Sequence, residues 1–413
     1  MKKLGISKAG WLKNSFFRGN ISILAVSGAF TNLCAGAMGL FMPEYFQRLG
    51  GNTLILGLMG FAVLIIRLVM FLLGGLVADY HGRKKIIVLT AFYGAFFPLL
   101  YAVFQDWRLF VVISIIAAFS SLSVPATQVI IADSAPPEKR ARGISVTQVV
   151  SSVPLVVTPL VWGWLINTLG WLEGFQIGCI YSIATALVSA FILLFFLKET
   201  IKTKTAETKN QQKFNLRLSL SEVRRYMSHS LTALIVAFCL ITFANASVGS
   251  YYIIYATEVI GLPAFEWSLI LSFQILAALV LKIPGAWIAD KFGKKKVLAI
   301  SALACAPLTV VFTFAHSFIA ILTVLLLLVV AGIYYDPVYQ ALQADLTPRA
   351  VRGRIIMLCS IGSAVASAIG GFVGGLLYYA VNPATPFYVF TIIELMTTVL
   401  LIAAVKEPIK KEI

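Results

Sequence analysis

The sequence predicts an all-α integral membrane protein: twelve transmembrane helices in two pseudo-symmetric six-helix bundles. Three observations lead to this class. Apolar stretches of roughly 20 residues, each long enough to cross a bilayer as a helix, follow one another along the 413-residue chain. Sixty per cent of the residues are hydrophobic and only 12% charged, with a mean hydropathy of +0.92, which leaves too little polar surface for a soluble domain. The second half of the chain also repeats marks of the first at an offset near 212 residues.

The apolar runs fall near 21–42, 54–78, 86–104, 109–131, 144–166 and 174–197, then near 230–252, 267–288, 297–314, 318–335, 355–377 and 387–405. They divide the chain into a six-span bundle over 1–197, a linker over 198–229 and a second six-span bundle over 230–413. An even count puts both termini on one side. Of the 33 Lys and Arg residues, 29 lie in the termini and in the loops of that side, and only Arg48 and Arg108 lie opposite. Under the positive-inside rule both termini are cytoplasmic, in a multi-pass cell-membrane protein. Topology accounts for the formal charge of +16 better than a nucleic-acid partner does. The partners expected are the lipid bilayer and a small-molecule solute, with protons a candidate coupling ion, and the chain is expected to act as a monomer.

The linker is rich in Lys, Thr and Gln. Its part from Phe214 to Met227 could form a surface helix, with Ser219 and Glu222 at capping-box spacing, and a tether between bundles is its simplest reading. All five cysteines (Cys34, Cys179, Cys239, Cys305 and Cys359) fall inside apolar runs without close pairing. Neither a disulfide framework, a metal site nor any cofactor is expected. The basic N-terminus runs straight into a full-length span, so no cleavable signal peptide is expected.

The repeat is specific. Phe30-Thr31-Asn32 with Gly36 matches Phe243-Ala244-Asn245 with Gly249, and Gly75 through Lys85 (GLVADYHGRKK) matches Ala286 through Lys296 (AWIADKFGKKK). Pro125, Gln128 and Asp133 match Pro337, Gln340 and Asp345, and Arg142-Gly143 matches Arg352-Gly353. Four matches in the same order mark an internal duplication, which in secondary transporters gives two bundles that rock about a site near the midplane.

The loop after the second span resembles the signature of the major facilitator superfamily: Gly, three residues, Asp, a basic residue, any residue, Gly, then basic residues. It reads Gly75, Asp79, Tyr80, His81, Gly82, Arg83, Lys84, Lys85, and its copy after the eighth span reads Gly285, Asp290, Lys291, Phe292, Gly293, Lys294. Tyr80 departs from the pattern, standing where a basic residue is usual. Gly75 and Gly285 are expected to let backbones approach closely, and Gly82 and Gly293 permit the turn. The resemblance implies that Asp79 faces the positive N-terminal end of the eleventh helix, and Asp290 that of the fifth. Arg83 and Lys294 complete the expected gate, which would hold the cytoplasmic side shut.

Charges at membrane depth are costly and mark functional candidates. Arg67 lies roughly 18 Å in from the Asp79 loop at helical rise; it could receive an anionic cargo group or fix an adjacent helix through backbone carbonyls. Lys282 and Asp336 lie at similar depth, roughly 12–13 Å, so an ion pair is one reading and proton coupling at Asp336 another. Glu394 is the other intramembrane acid, on a helix that the resemblance places peripherally. The first span carries no acid within its apolar run. Asn32 and Asn245 sit near the centres of the first and seventh spans, which line the cavity in the superfamily; they could bind cargo or bond neighbouring helices. Gln128 and Gln340 recur with Pro125 and Pro337, which can bend the fourth and tenth helices.

In the eleventh span Gly362, Ala366, Gly370 and Gly374 follow at i+4, flanked by Ser363, Ser367, Gly371 and Gly375. Such small residues allow close helix packing, at an expected interface between the halves. The expected function is alternating-access transport of a small organic solute, proton-coupled and leaning to efflux. A facilitator or importer of an anionic solute held by Arg67 is the alternative, and a channel or non-transporting sensor a further one. Nothing resembles an ATP-binding loop or an enzyme's catalytic cluster.

Overall fold

The computed structural model describes residues 19–134, 147–200, 226–281, 292–348 and 351–407. Twelve helices among them are long and apolar enough to cross a membrane: α1 (Asn20–Arg48), α2 (Thr53–His81), α3 (Arg83–Val103), α4 (Trp107–Ser134), α5 (Thr147–Leu169), α6 (Trp171–Phe196), α7 (His229–Val259), α8 (Ala264–Leu281), α9 (Lys294–Thr313), α10 (Phe318–Leu346), α11 (Arg352–Ala380) and α12 (Thr385–Ala404). Several outrun the apolar runs of the sequence. A 29-residue helix such as α1 is about 43 Å long, more than the roughly 30 Å of bilayer hydrocarbon, so its polar ends project into the interface while remaining helical.

The starts and turns have local causes. Asn52 accepts the Ile55 N–H at 2.9 Å to cap α2, Ser228 accepts the Leu231 N–H at 3.1 Å to cap α7, and Asp106 and Ser317 act likewise for α4 and α10. Each satisfies a backbone donor that the first helical turn leaves open. Gly82 and Gly293, at φ +92° and +90°, make the sharp turns before α3 and α9, where a side chain would be strained.

The two bundles are built alike. In the first, α6 packs against α1 and α3; in the second, α12 packs against α7 and α9. Leu58, Leu72, Ile392 and Val399 are among many large apolar side chains left on the outer surface. Facing acyl chains rather than water, they carry no cost. The molecule is a multi-pass membrane protein.

The chain ends mark one side, here termed proximal. On it Asn20 exchanges two hydrogen bonds with Lys198, both 2.9 Å, and Lys406 N–H donates to Ser230 at 3.1 Å. Among the described residues the halves meet chiefly through α2 with α11 and α5 with α8, and the tightest of these contacts lie toward the opposite, distal side. A Cβ on Gly375 would come within 2.3 Å of the Thr53 carbonyl oxygen, and one on Gly57 within 2.9 Å of the Gly371 oxygen. The symmetric pair does the same: a Cβ on Gly163 would lie 3.0 Å from the Ala264 oxygen. Thr53 Oγ1 donates to the Gly375 carbonyl at 3.3 Å across this seam.

The expected small-residue stripe therefore divides in two. Gly370 and Gly374 pack on the Phe243 and Ser247 carbonyls of α7, inside their own half. Gly375, one residue on, serves the α2 contact between halves, to which Gly371 lends its carbonyl oxygen.

Candidate functional site

The prolines inside the spans open the helices where the site forms. Proline lacks the N–H that would reach back four residues. In α4 a 3-10 stretch over Ala118–Ser123 directly precedes Pro125, and α10 is interrupted between Gly332 and Tyr335, just before Pro337. In α5 a second 3-10 turn, Val153–Val156, includes Pro154. The broken α10 turns Asp336 and Gln340 to an exposed face while Tyr335 and Tyr339 remain buried.

That face borders a cavity of about 1080 Å³. Gly39, Leu40 and Pro43 of α1 and Gln148 of α5 contribute from the first half. Most of the wall comes from the second, including Asn245 and Tyr252 of α7, Trp267 and Gln274 of α8, Asp336 and Gln340 of α10, and Glu394 of α12. Asn245 donates to the Ile241 carbonyl of its own helix at 3.0 Å, which leaves its amide oxygen for the cavity. Glu394 is 2% exposed, and one of its carboxylate oxygens has no hydrogen-bond partner among the described residues. Its helix is thus not remote from the cavity, because α12 leans on α7 and α9 and turns Glu394 inward.

Of the candidate cargo residues, Asn245 and Gln340 share this wall with Asp336 and Glu394. Asn32 does not; it donates to the Ser151 carbonyl of α5 at 2.7 Å, an interhelical bond within its half. Arg67 lies on an exposed face of α2 and Gln128 on an exposed face of α4. Neither lines the cavity. Lys282, Gly285 and Asp290 lie outside the described residues, and with them the Lys282–Asp336 pair.

On the proximal side the signature loop folds back on its own half. Asp79 is 69% exposed and sits 3.6 Å from Arg83 rather than against the start of α11, because among the described residues the halves make their close contacts distally. Arg83 pairs with Asp133 of α4 and donates to Thr200 at 3.1 Å. Lys294 pairs with Asp345 of α10 in the same way. Carboxylates from beyond α6 and α12 then cap the following helices: Glu199 accepts the Lys84 N–H at 2.9 Å and Glu407 accepts the Lys295 N–H. The close approach expected at Gly75 falls one residue earlier. A Cβ on Gly75 would meet nothing within 4 Å, whereas one on Gly74 would lie 2.2 Å from the Leu122 oxygen, since that face of α2 is the one turned to α4.

The distal side holds a cluster that hydropathy passes over. Glu44 is fully buried in α1, two residues past the apolar run that ends near residue 42, because the helix continues beyond that run to Arg48. One Glu44 oxygen accepts from Arg48 at 2.7 Å, and the other accepts the Thr257 hydroxyl of α7 at 2.7 Å, across the halves. The Gln47 amide lies 2.5 and 2.8 Å from the two Glu258 oxygens, donating when its nitrogen faces them. Arg48 also stacks over Trp171, 5.7 Å from the ring centre.

A duplicated twelve-helix membrane fold with a cavity lined from both halves is that of a membrane transporter. The family model of the Major Facilitator Superfamily matches residues 24–281 and 234–412, and the chain belongs to that superfamily, whose members are transporters rather than enzymes. It is 25% identical over 390 residues to the Bacillus subtilis protein NiaP, named for niacin/nicotinamide transport, covering 91% of this chain and 87% of that one. It is 21% identical over 367 residues to Multidrug resistance protein 2 of the same organism, covering 87% and 88%. Among solved structures, a point mutant of the nucleoside transporter NupG superposes with a TM-score of 0.75 at 14% identity, over 94% of this chain and 100% of that one.

Proposed function

We propose that the chain is a secondary active transporter that moves a small organic solute by alternating access, coupled to protons and working toward efflux, as a monomer of the cell membrane with both termini cytoplasmic. The observation that carries this reading is the cavity of about 1080 Å³ lined from both halves, beside a distal seam sealed by glycine-to-backbone contacts. A binding space sealed on one side is what alternating access requires. With the proximal side assigned to the cytoplasm by its 29 basic residues, the conformation is inward-facing. The opposite state would bring Asp79 to the N-terminal end of α11 and Asp290 to that of α5.

Asp336 and Glu394 are the proposed proton-coupling carboxylates, since both line the cavity. Asn245 and Gln340 are the proposed cargo-facing amides. Efflux draws support from the relation to a multidrug resistance protein, and the differing names of the relatives leave the solute to the cavity's own chemistry. An anionic solute held by Arg67 has no support from this cavity.

Counterflow in proteoliposomes tests the proposal. A solute library is expected to yield saturable exchange at zero gradient and accumulation when a pH gradient is imposed. Conductance without saturation would make the protein a channel, and exchange indifferent to pH would make it a facilitator.

A further inference from the structure

We propose that the cavity takes a solute carrying a positively charged nitrogen, which seats against Glu394 in place of a proton. This rests on the transport reading above and names the cargo's chemical class. Glu394 is 2% exposed, lines the cavity, and keeps one carboxylate oxygen without a protein partner among the described residues. An anionic carboxylate so buried is costly unless something compensates the charge. A proton does so in the empty cavity, and a cation does so in the loaded one. Both use the same oxygen, so each excludes the other, and transport becomes an exchange of cation for proton.

The surroundings fit a cation on an organic frame. Tyr252, Trp267, Tyr335 and Phe390 border the same space, and aromatic faces attract a desolvated cation. The Trp267 indole N–H and the Tyr335 hydroxyl are buried without hydrogen-bond partners among the described residues. The titratable groups facing Glu394 among the described residues are Tyr252 from α7, Cys305 from α9 and Tyr335 from α10, and Asp336 lines the same cavity. The described lining residues include no Lys or Arg. An anionic solute would bring its charge against the Glu394 carboxylate.

Three probes of one shape but different charge decide the matter: benzyltrimethylammonium, phenylacetamide and phenylacetate, titrated calorimetrically into the purified full-length chain in buffers of different ionisation enthalpy. Benzyltrimethylammonium is expected to bind at least about tenfold more tightly than the other two and to release a proton on binding. Glu394→Gln should weaken it on the order of 30-fold and abolish the proton release. Glu394→Asp, which keeps the charge, should retain the preference. Equal loss in the Asp and Gln variants, stronger binding of phenylacetate or phenylacetamide, or no binding of the cation overturns the proposal. Counterflow separates the two levels: exchange of neutral or anionic solutes without cation binding leaves the transport reading standing, and no exchange of any solute removes both.

Discussion

Glu44 and Glu394 are both buried carboxylates, and their partners set them apart. Glu44 has each oxygen engaged, one by Arg48 and one by Thr257, so it acts as a fixed strut across the distal seam. Glu394 has an oxygen without a partner among the described residues and is free to exchange what it holds. A hydrogen bond to a charged group contributes about 1.5–3 kcal/mol. Thr257→Val should therefore raise the distally open population about tenfold or more. Faster labelling of a cysteine at Ser250 from the distal side, with the native cysteines removed, would register this; an unchanged rate would show that the strut does not hold the seam. At Asp336 the expected result is different: Asp336→Asn abolishes pH-driven accumulation and spares exchange, and unaltered pH dependence in flux assays would exclude the residue from coupling. The sequence made Asp336 and Glu394 visible because a charge inside an apolar run is conspicuous. Glu44 escaped because it stands two residues past the run, where hydropathy reads interface and the helix reads continuity.

At the scale of elements, the spans and their duplication were readable because the bilayer demands long apolar helices and the repeat copies glycines, prolines and carboxylates at a fixed offset. The side each helix presents was not. Asp133 and Asp345 stood out as repeat marks, but only the fold-back of the loop shows them to be partners of Arg83 and Lys294. The glycines of α11 announced close packing, yet a one-residue difference decides whether each serves α7 or the seam with α2. This gives a sharp test. A Cβ on Gly375 would lie 2.3 Å from a backbone oxygen and 3.2 Å from the Gly57 Cα, atoms that no rotamer change can move. Gly375→Ala should widen the distal α2–α11 distance in spin-label measurements and reduce transport. Gly94→Ala, at a position with nothing within 4 Å, should leave both unchanged. A sealed distal side in the Gly375 variant would mean that the seam does not depend on backbone approach.

The whole molecule is two similar bodies whose described residues join them most closely on the distal side, and a second state has to replace those contacts with proximal ones. The signature loop is placed to supply them, since the helix pairs that meet distally, α2 with α11 and α5 with α8, are the same pairs that the loop aspartates would join. In the conformation described, Asp79 is largely exposed beside Arg83, so removing its charge costs this state little. A carboxylate at a helix N-terminus contributes about 0.3–1 kcal/mol, and its loss would fall on the opposite state alone. Asp79→Asn should therefore shift the population toward the proximally open form by about 2- to 5-fold. Faster labelling of a cysteine at Gln340 from the proximal side measures that shift directly, and unchanged labelling would remove Asp79 from the gate. The two loops are not equal, because Tyr80 stands where the second copy has Lys291 and brings no positive charge of its own. Asp290→Asn is accordingly expected to produce the larger shift, and the difference between the two variants reads out how unevenly the duplicated halves share the gate.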